Sequence, residues 1–126
     1  MILGSLEGVL DHTGGSITSV LGEVAILTVT GQLDFALCVQ LAPELDTALR
    51  SPARAIVIDL EGVSLVDSSG IALMINASRR LDHAGRELAI ACPRGPQRRA
   101  FELTALDRQL PMHDSREAAL AAVSAS

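Results

Sequence analysis

The stretch Ile58-Asp59-Leu60-Glu61-Gly62-Val63-Ser64-Leu65-Val66-Asp67-Ser68-Ser69-Gly70-Ile71 changes its hydrophobic period as it is read. It opens inside Ala55-Ile56-Val57-Ile58-Asp59-Leu60, a short continuous apolar run rich in β-branched residues. Such a run suits a strand buried on both faces, so a central strand is predicted here, with Asp59 ending it and facing a loop. Beyond the loop, Asp67 to Leu81 places Ile71, Met74, Ile75 and Ser78 on one helical stripe, and Gly85 stands just past the end as a stop. Asp67, Ser68, Ser69 and Gly70 therefore form the first turn of a helix that follows a buried strand. Asp or Ser at that place accepts hydrogen bonds from the free N–H groups of the helix start, so from the residues alone the tetrapeptide reads as an N-cap.

Upstream of this unit, Ile17 to Val20 and Val24 to Thr30 are separated only by Leu21-Gly22-Glu23, which predicts an antiparallel hairpin. Leu37, Leu41, Leu45 and Leu49 then recur every four residues. A helix follows, expected to begin near Gln40 or Leu41 so that Pro43 falls in its first turns. Downstream, Glu87 to Cys92 reads as a strand, Pro93 to Pro96 as a loop, Gln97 to Leu106 as a helix and Leu110 to Met112 as an edge strand. The alanine-rich tail from Ser115 to Val123 favours a last helix, with Ser115 as its cap. Strands alternating with helices imply βαβ crossovers, and the hairpin makes the sheet mixed. The expected fold is α/β, a mixed sheet of about four to five strands with about four helices packed against it. Residues 16–124 form the expected domain, and residues 1–15 look like an extension that the core does not require.

The whole chain narrows the function classes. Its 126 residues suffice for one domain with its own core. With 48% apolar and 20% charged residues it is too hydrophobic for a disordered chain, and no apolar run is long enough to cross a bilayer. No positive n-region precedes the apolar residues of the N-terminus, so a secretory signal is not expected and cytoplasmic residence is the default. Cys38 and Cys92 lack a CxxC partner and read as buried thiols of a reducing compartment. A net charge of −5, with no Trp or Tyr and only Phe35 and Phe101, offers little to a nucleic acid. His12, His83 and His113 have no partner at helical spacing, so no metal site or cofactor is expected. P-loop, GxSxG and HExxH patterns are absent, which argues against an enzyme. Arg94, Arg98 and Arg99 read as a solvated helix face.

Two motifs together point further. Asp67-Ser68-Ser69-Gly70 after the strand Ile58-Asp59-Leu60, with Gly31-Gln32-Leu33-Asp34 at the end of an earlier strand, resembles the STAS family of anti-sigma factor antagonists. The resemblance runs from about Ile17 to Val123. It implies a STAS-like fold and a regulatory protein of bacterial transcription. It also implies phosphorylation of Ser68 by a partner that is both a serine kinase and the anti-sigma factor. The unphosphorylated form would bind that kinase and free a sigma factor, and a PP2C-type phosphatase would restore it. Asp34 and Asp67 match the family's two acidic positions beside the phosphorylated serine, and Ser69 and Gly70 complete the expected partner-binding set. Gln32 stands where glutamate is common, and Ala72 where a second glycine is frequent. The competing expectation is a STAS scaffold in a stress-sensing or lipid-transport assembly, with a serine that only caps.

Overall fold

The computed structural model describes residues 14–124. Five strands form one sheet in the order β1-β2-β3-β4-β5, namely β1 (Gly14–Leu21), β2 (Val24–Leu33), β3 (Ala55–Val66), β4 (Glu87–Ala91) and β5 (Met112–His113). The β1–β2 pair is antiparallel and every other pair parallel, so the expected mixed sheet is present. Four α-helices accompany it: α1 (Phe35–Arg50), α2 (Ser68–His83), α3 (Pro96–Leu103) and α4 (Arg116–Ser124). A 3-10 turn, Leu106–Arg108, follows α3 in place of the longer helix expected there. The hairpin turn is tighter than expected, since Leu21 pairs with Val24. Strand β1 begins at Gly14, so part of the expected extension belongs to the sheet; the remainder, residues 1–13, lies outside the described residues, as does His12.

The sheet separates two apolar layers, as the period of two along each strand requires. Ala25, Leu27 and Val29 of β2 and Ile56, Ile58 and Leu60 of β3 face α1, α2 and α3 in the main core. Val24, Ile26, Ala55 and Val57 point the other way, with Ala89 and Ala91 of β4, onto Ala119 and Val123 of α4. Phe101 of α3 is fully buried and closes the main core near Leu110.

Four expectations are corrected. Helix α1 starts at Phe35, more than a turn before the expected boundary, and carries Pro43 in its interior. The Asp34 carboxylate makes that earlier start possible by accepting a hydrogen bond from Leu37 N at 2.9 Å. Strand β3 continues to Val66 through two register irregularities against β2, between Thr28 and Thr30 and between Gly31 and Gln32. Asp59 consequently sits within the strand, buried, with its Oδ2 3.4 Å from Arg116 Nη1 of α4 and its Oδ1 accepting from Glu61 N. The α2 stripe is rotated from expectation: Gly70, Met74, Ala77 and Leu81 are buried, while Ile71, Ile75 and Ser78 are only partly covered. Arg98 is not solvated either. It is buried, its guanidinium donating to Cys92 O at 3.1 Å and pairing with Asp114 at 2.6 Å, which ties α3 to the end of β4. Arg99 of the same cluster is exposed.

Candidate functional site at the paired helix starts

Strands β2 and β3 run parallel and end side by side, where Leu33 pairs with Val66. Each strand passes at once into a helix, so the N-termini of α1 and α2 emerge together at one edge of the sheet. An aspartate caps each. Asp67 Oδ1 accepts from Ser69 N at 2.8 Å and from Gly70 N at 3.3 Å, as Asp34 Oδ1 does from Leu37 N. Anionic caps suit these places because the first-turn N–H groups carry the positive end of the helix dipole. The two turns are also stitched together, Asp67 N donating to Leu33 O at 3.2 Å.

Gly70 explains how closely α2 approaches the end of β2. A Cβ there would stand 2.8 Å from Leu33 Cγ and 2.9 Å from Leu33 O, so only glycine lets α2 seat against the end of β2. Gly70 is buried, and it serves the site from beneath rather than on its surface.

Ser68 is the first residue of α2 and is exposed. Among the described residues no hydrogen bond engages its hydroxyl, in contrast to the Asp67 carboxylate before it. Asp67 occupies the N–H groups of Ser69 and Gly70, so the free donors expected around Ser68 are largely taken. Ser69, partly buried, borders a shallow groove between α1 and α2 of about 400 Å³, lined also by Phe35, Cys38, Val39 and Leu73. Phe35 and Val39 are 69% and 58% exposed, large apolar groups standing in solvent beside the serine. Cys38 lies beneath them with its thiol pushed up to about 11, first by burial and then by the charges of Asp67 and Asp34. The motifs named five of these residues, Asp34, Asp67, Ser68, Ser69 and Gly70; Phe35, Val39 and the groove were missed, although two large apolar residues off the Leu37/Leu41/Leu45 stripe were a legible signal.

Among the described residues no group of three or more His, Cys, Asp or Glu side chains is gathered as a metal would need. No helix among them is long and apolar enough to cross a membrane.

A sheet with one antiparallel edge and two aspartate-capped helix starts side by side at its parallel end define a domain of the STAS type. Residues 17–119 match the STAS domain family, and the chain belongs to it. A relative from Paenibacillus polymyxa, named anti-sigma F factor antagonist, is 26% identical over 98 residues, covering 77% of this chain and 84% of that one. A solved anti-sigma factor antagonist from Mycobacterium paratuberculosis superposes with a TM-score of 0.83 at 22% identity, over 90% of this chain and 96% of its own. The Bacillus cell fate determinant SpoIIAA in its phosphorylated form does so with a TM-score of 0.67 at 23% identity, over 86% of this chain and 99% of its own.

Proposed function

We propose that this protein is an anti-sigma factor antagonist whose binding surface is switched by phosphorylation of Ser68. The observation that carries the proposal is the exposed Ser68 hydroxyl, unbonded among the described residues, at the aspartate-capped start of α2 beside the aspartate-capped start of α1, in a chain related to a protein named anti-sigma F factor antagonist. The unmodified form binds an anti-sigma factor that is also a serine kinase, and a PP2C-type phosphatase reverses the modification. Asp34, Asp67 and Ser69 form the polar part of the docking surface, with Gly70 holding them in place, and the protein acts as a binding module rather than as an enzyme.

The switch follows from charge. A phosphate brings about −1.5 to −2 at neutral pH. Because Asp67 already holds the nearest first-turn donors, the phosphate gains few new hydrogen bonds and leaves its charge facing outward beside two carboxylates. A partner seated over Phe35 and Val39 then meets repulsion and uncompensated desolvation, while the helix dipole lets α2 keep its fold. Incubation with the cognate kinase and ATP is expected to add one phosphate, mapped by mass to Ser68. Ser68→Asp should weaken kinase binding by roughly tenfold, about 1.4 kcal/mol, whereas Ser68→Ala binds normally and resists modification. Modification confined to Ser69 would overturn the assignment to Ser68, equal calorimetric affinities of the Asp variant and the wild type would overturn the electrostatic switch, and no modification by a kinase that binds the protein would leave a non-phosphorylated STAS interaction subunit.

A further inference from the structure

We propose that the hollow between the β1–β2 hairpin and the C-terminal half of α1 binds a small organic ammonium ion carrying an apolar body. The hollow measures about 620 Å³, a volume within the range of small-molecule sites. It exists because side chains are small where β2 meets the end of α1. Ala25 and Ala48 lie buried beneath it and Ala53 edges it, whereas Leu27, Leu41 and Leu45 fill the same layer elsewhere. Val20 and Pro52 extend the apolar wall. The site is separate from the docking surface beside Ser68, since Glu44 in the hollow lies about 14 Å along α1 from Phe35 at the helical rise.

Charge selects the ligand class. The ionisable residues lining the hollow, Glu23 and Glu44, are both acidic, and no basic residue lines it. Glu44 is partly buried and its carboxylate is held in place: one oxygen accepts from the Ser16 hydroxyl, the other from the Thr18 hydroxyl at 2.7 Å. Hydroxyl donors leave its charge uncompensated, and a carboxylate has about four acceptor positions, so room remains for an ammonium. Among the described residues no arginine supplies the missing charge. Arg54 pairs with Glu87 and donates to Val123 O, while Arg86 donates to the Ala53 and Leu49 carbonyls. Asp46, on the same helix but outside the hollow, is by contrast paired with both Arg50 and Arg80. The helix dipole acts in the same sense, because Ala48 and Ser51 bring the negative end of α1 to the hollow. An apolar floor beneath a fixed, unpaired carboxylate suits a cation with a hydrocarbon body.

Amide chemical shifts of the full-length chain test the site, with hexylammonium as the probe and hexanol and hexanoate as its neutral and anionic counterparts. Hexylammonium is expected to shift the amides of Thr18, Ala25, Ala48 and Ala53 saturably and to bind several-fold more tightly than either counterpart. Added salt should narrow its lead over hexanol. Glu44→Gln keeps an acceptor for the two hydroxyls and is expected to abolish that lead while leaving hexanol affinity unchanged. Asp46→Asn removes the same charge from the same helix outside the hollow and should preserve the lead; its loss there would make it a general effect of net charge and overturn the proposal. Equal affinities of the wild type for hexylammonium and hexanol overturn it too, as do the absence of saturable shifts and shifts centred on Asp34 and Asp67. A lead that survives in Glu44→Gln removes Glu44 as the selecting group and has the same consequence. The three probes on the unaltered chain decide the matter even where the Gln variant does not fold.

Discussion

Asp67 and Ser68 are neighbours with separate tasks, and single substitutions separate them. The Asp67 carboxylate satisfies two first-turn N–H groups, so Asp67→Ala is expected to lower stability by about 0.5 to 2 kcal/mol. Ser68 engages none, so Ser68→Ala should stay below about 0.5 kcal/mol, the low end of that capping range. Denaturant midpoints of the two variants check this. A Ser68→Ala loss equal to that of Asp67→Ala would make the serine a structural cap. Gly70 sets a different constraint. Alanine improves helix propensity by about 1 kcal/mol, but its methyl would press on the Leu33 backbone carbonyl, which has no freedom to retreat while Asp67 N is bonded to it. Gly70→Ala is expected to destabilise by about 1 to 3 kcal/mol net, read from the same unfolding curves. That Asp67 sits at a capped helix start was legible in the tetrapeptide. That the glycine matters through Leu33 was not, because the contact joins residues that only the β2–β3 pairing brings together.

The elements that were misjudged were those in which tertiary contacts override local preference. Pro43 argued for a late start of α1, since proline removes an N–H and crowds the preceding turn. The helix nevertheless runs through it, because Leu37 and Cys38 before it and Leu45, Ala48 and Leu49 after it are all buried on one face, while Pro43 itself points to solvent. Replacing it tests how much the fold opposes its own sequence there. Pro43→Ala restores one backbone donor and relieves the clash, a gain of about 3 kcal/mol in an ideal helix interior. A looser unfolded chain offsets about 0.4 to 1 kcal/mol of that. A net increase of about 2 kcal/mol is expected on these two figures, and a decrease in denaturant midpoint would show that the proline is matched to a local distortion. The end of β3 was hidden for a related reason. Glu61, Gly62 and Ser64 look like loop residues, but Gly62 lies where the register shifts, with room for no Cβ beside Thr30 Cγ2 at 2.9 Å. Irregular pairing leaves no period of two for the eye to follow. By contrast the hairpin, the buried run of β3, the Gly85 stop and the Ser115 cap of α4, which accepts from Ala118 N at 3.0 Å, were all legible, because each rests on contacts within a few residues.

At the scale of the molecule, the composition makes one alkaline transition unusually easy to isolate. All ten basic side chains are arginine, and the chain has no tyrosine. Between pH 9 and 11, where lysine and tyrosine begin to titrate in most proteins, the cysteines are therefore the side chains left to change charge. Cys38 and Cys92 are both buried, one under the site and one at the end of β4, and both thiols are pushed from 9.0 to about 11, chiefly by burial. The folded protein thus keeps two protons that the unfolded chain releases near pH 9. Above that pH the unfolded state binds fewer protons than the native state, so the linkage slope is negative. Stability from the neutral thiols is complete below pH 9 and is lost progressively as the pH rises toward 11. Guanidinium midpoints measured across this window should fall steadily for the wild type. A variant with both Cys38→Ala and Cys92→Ala starts lower, from the lost packing, but should hold its midpoint nearly flat over the same range. Since the comparison is of slopes and not of starting values, the cavity left by alanine does not confuse it. An equally steep fall in the double variant would show that some other group governs the alkaline limb, and would remove the buried thiols from the account of how this core is held together.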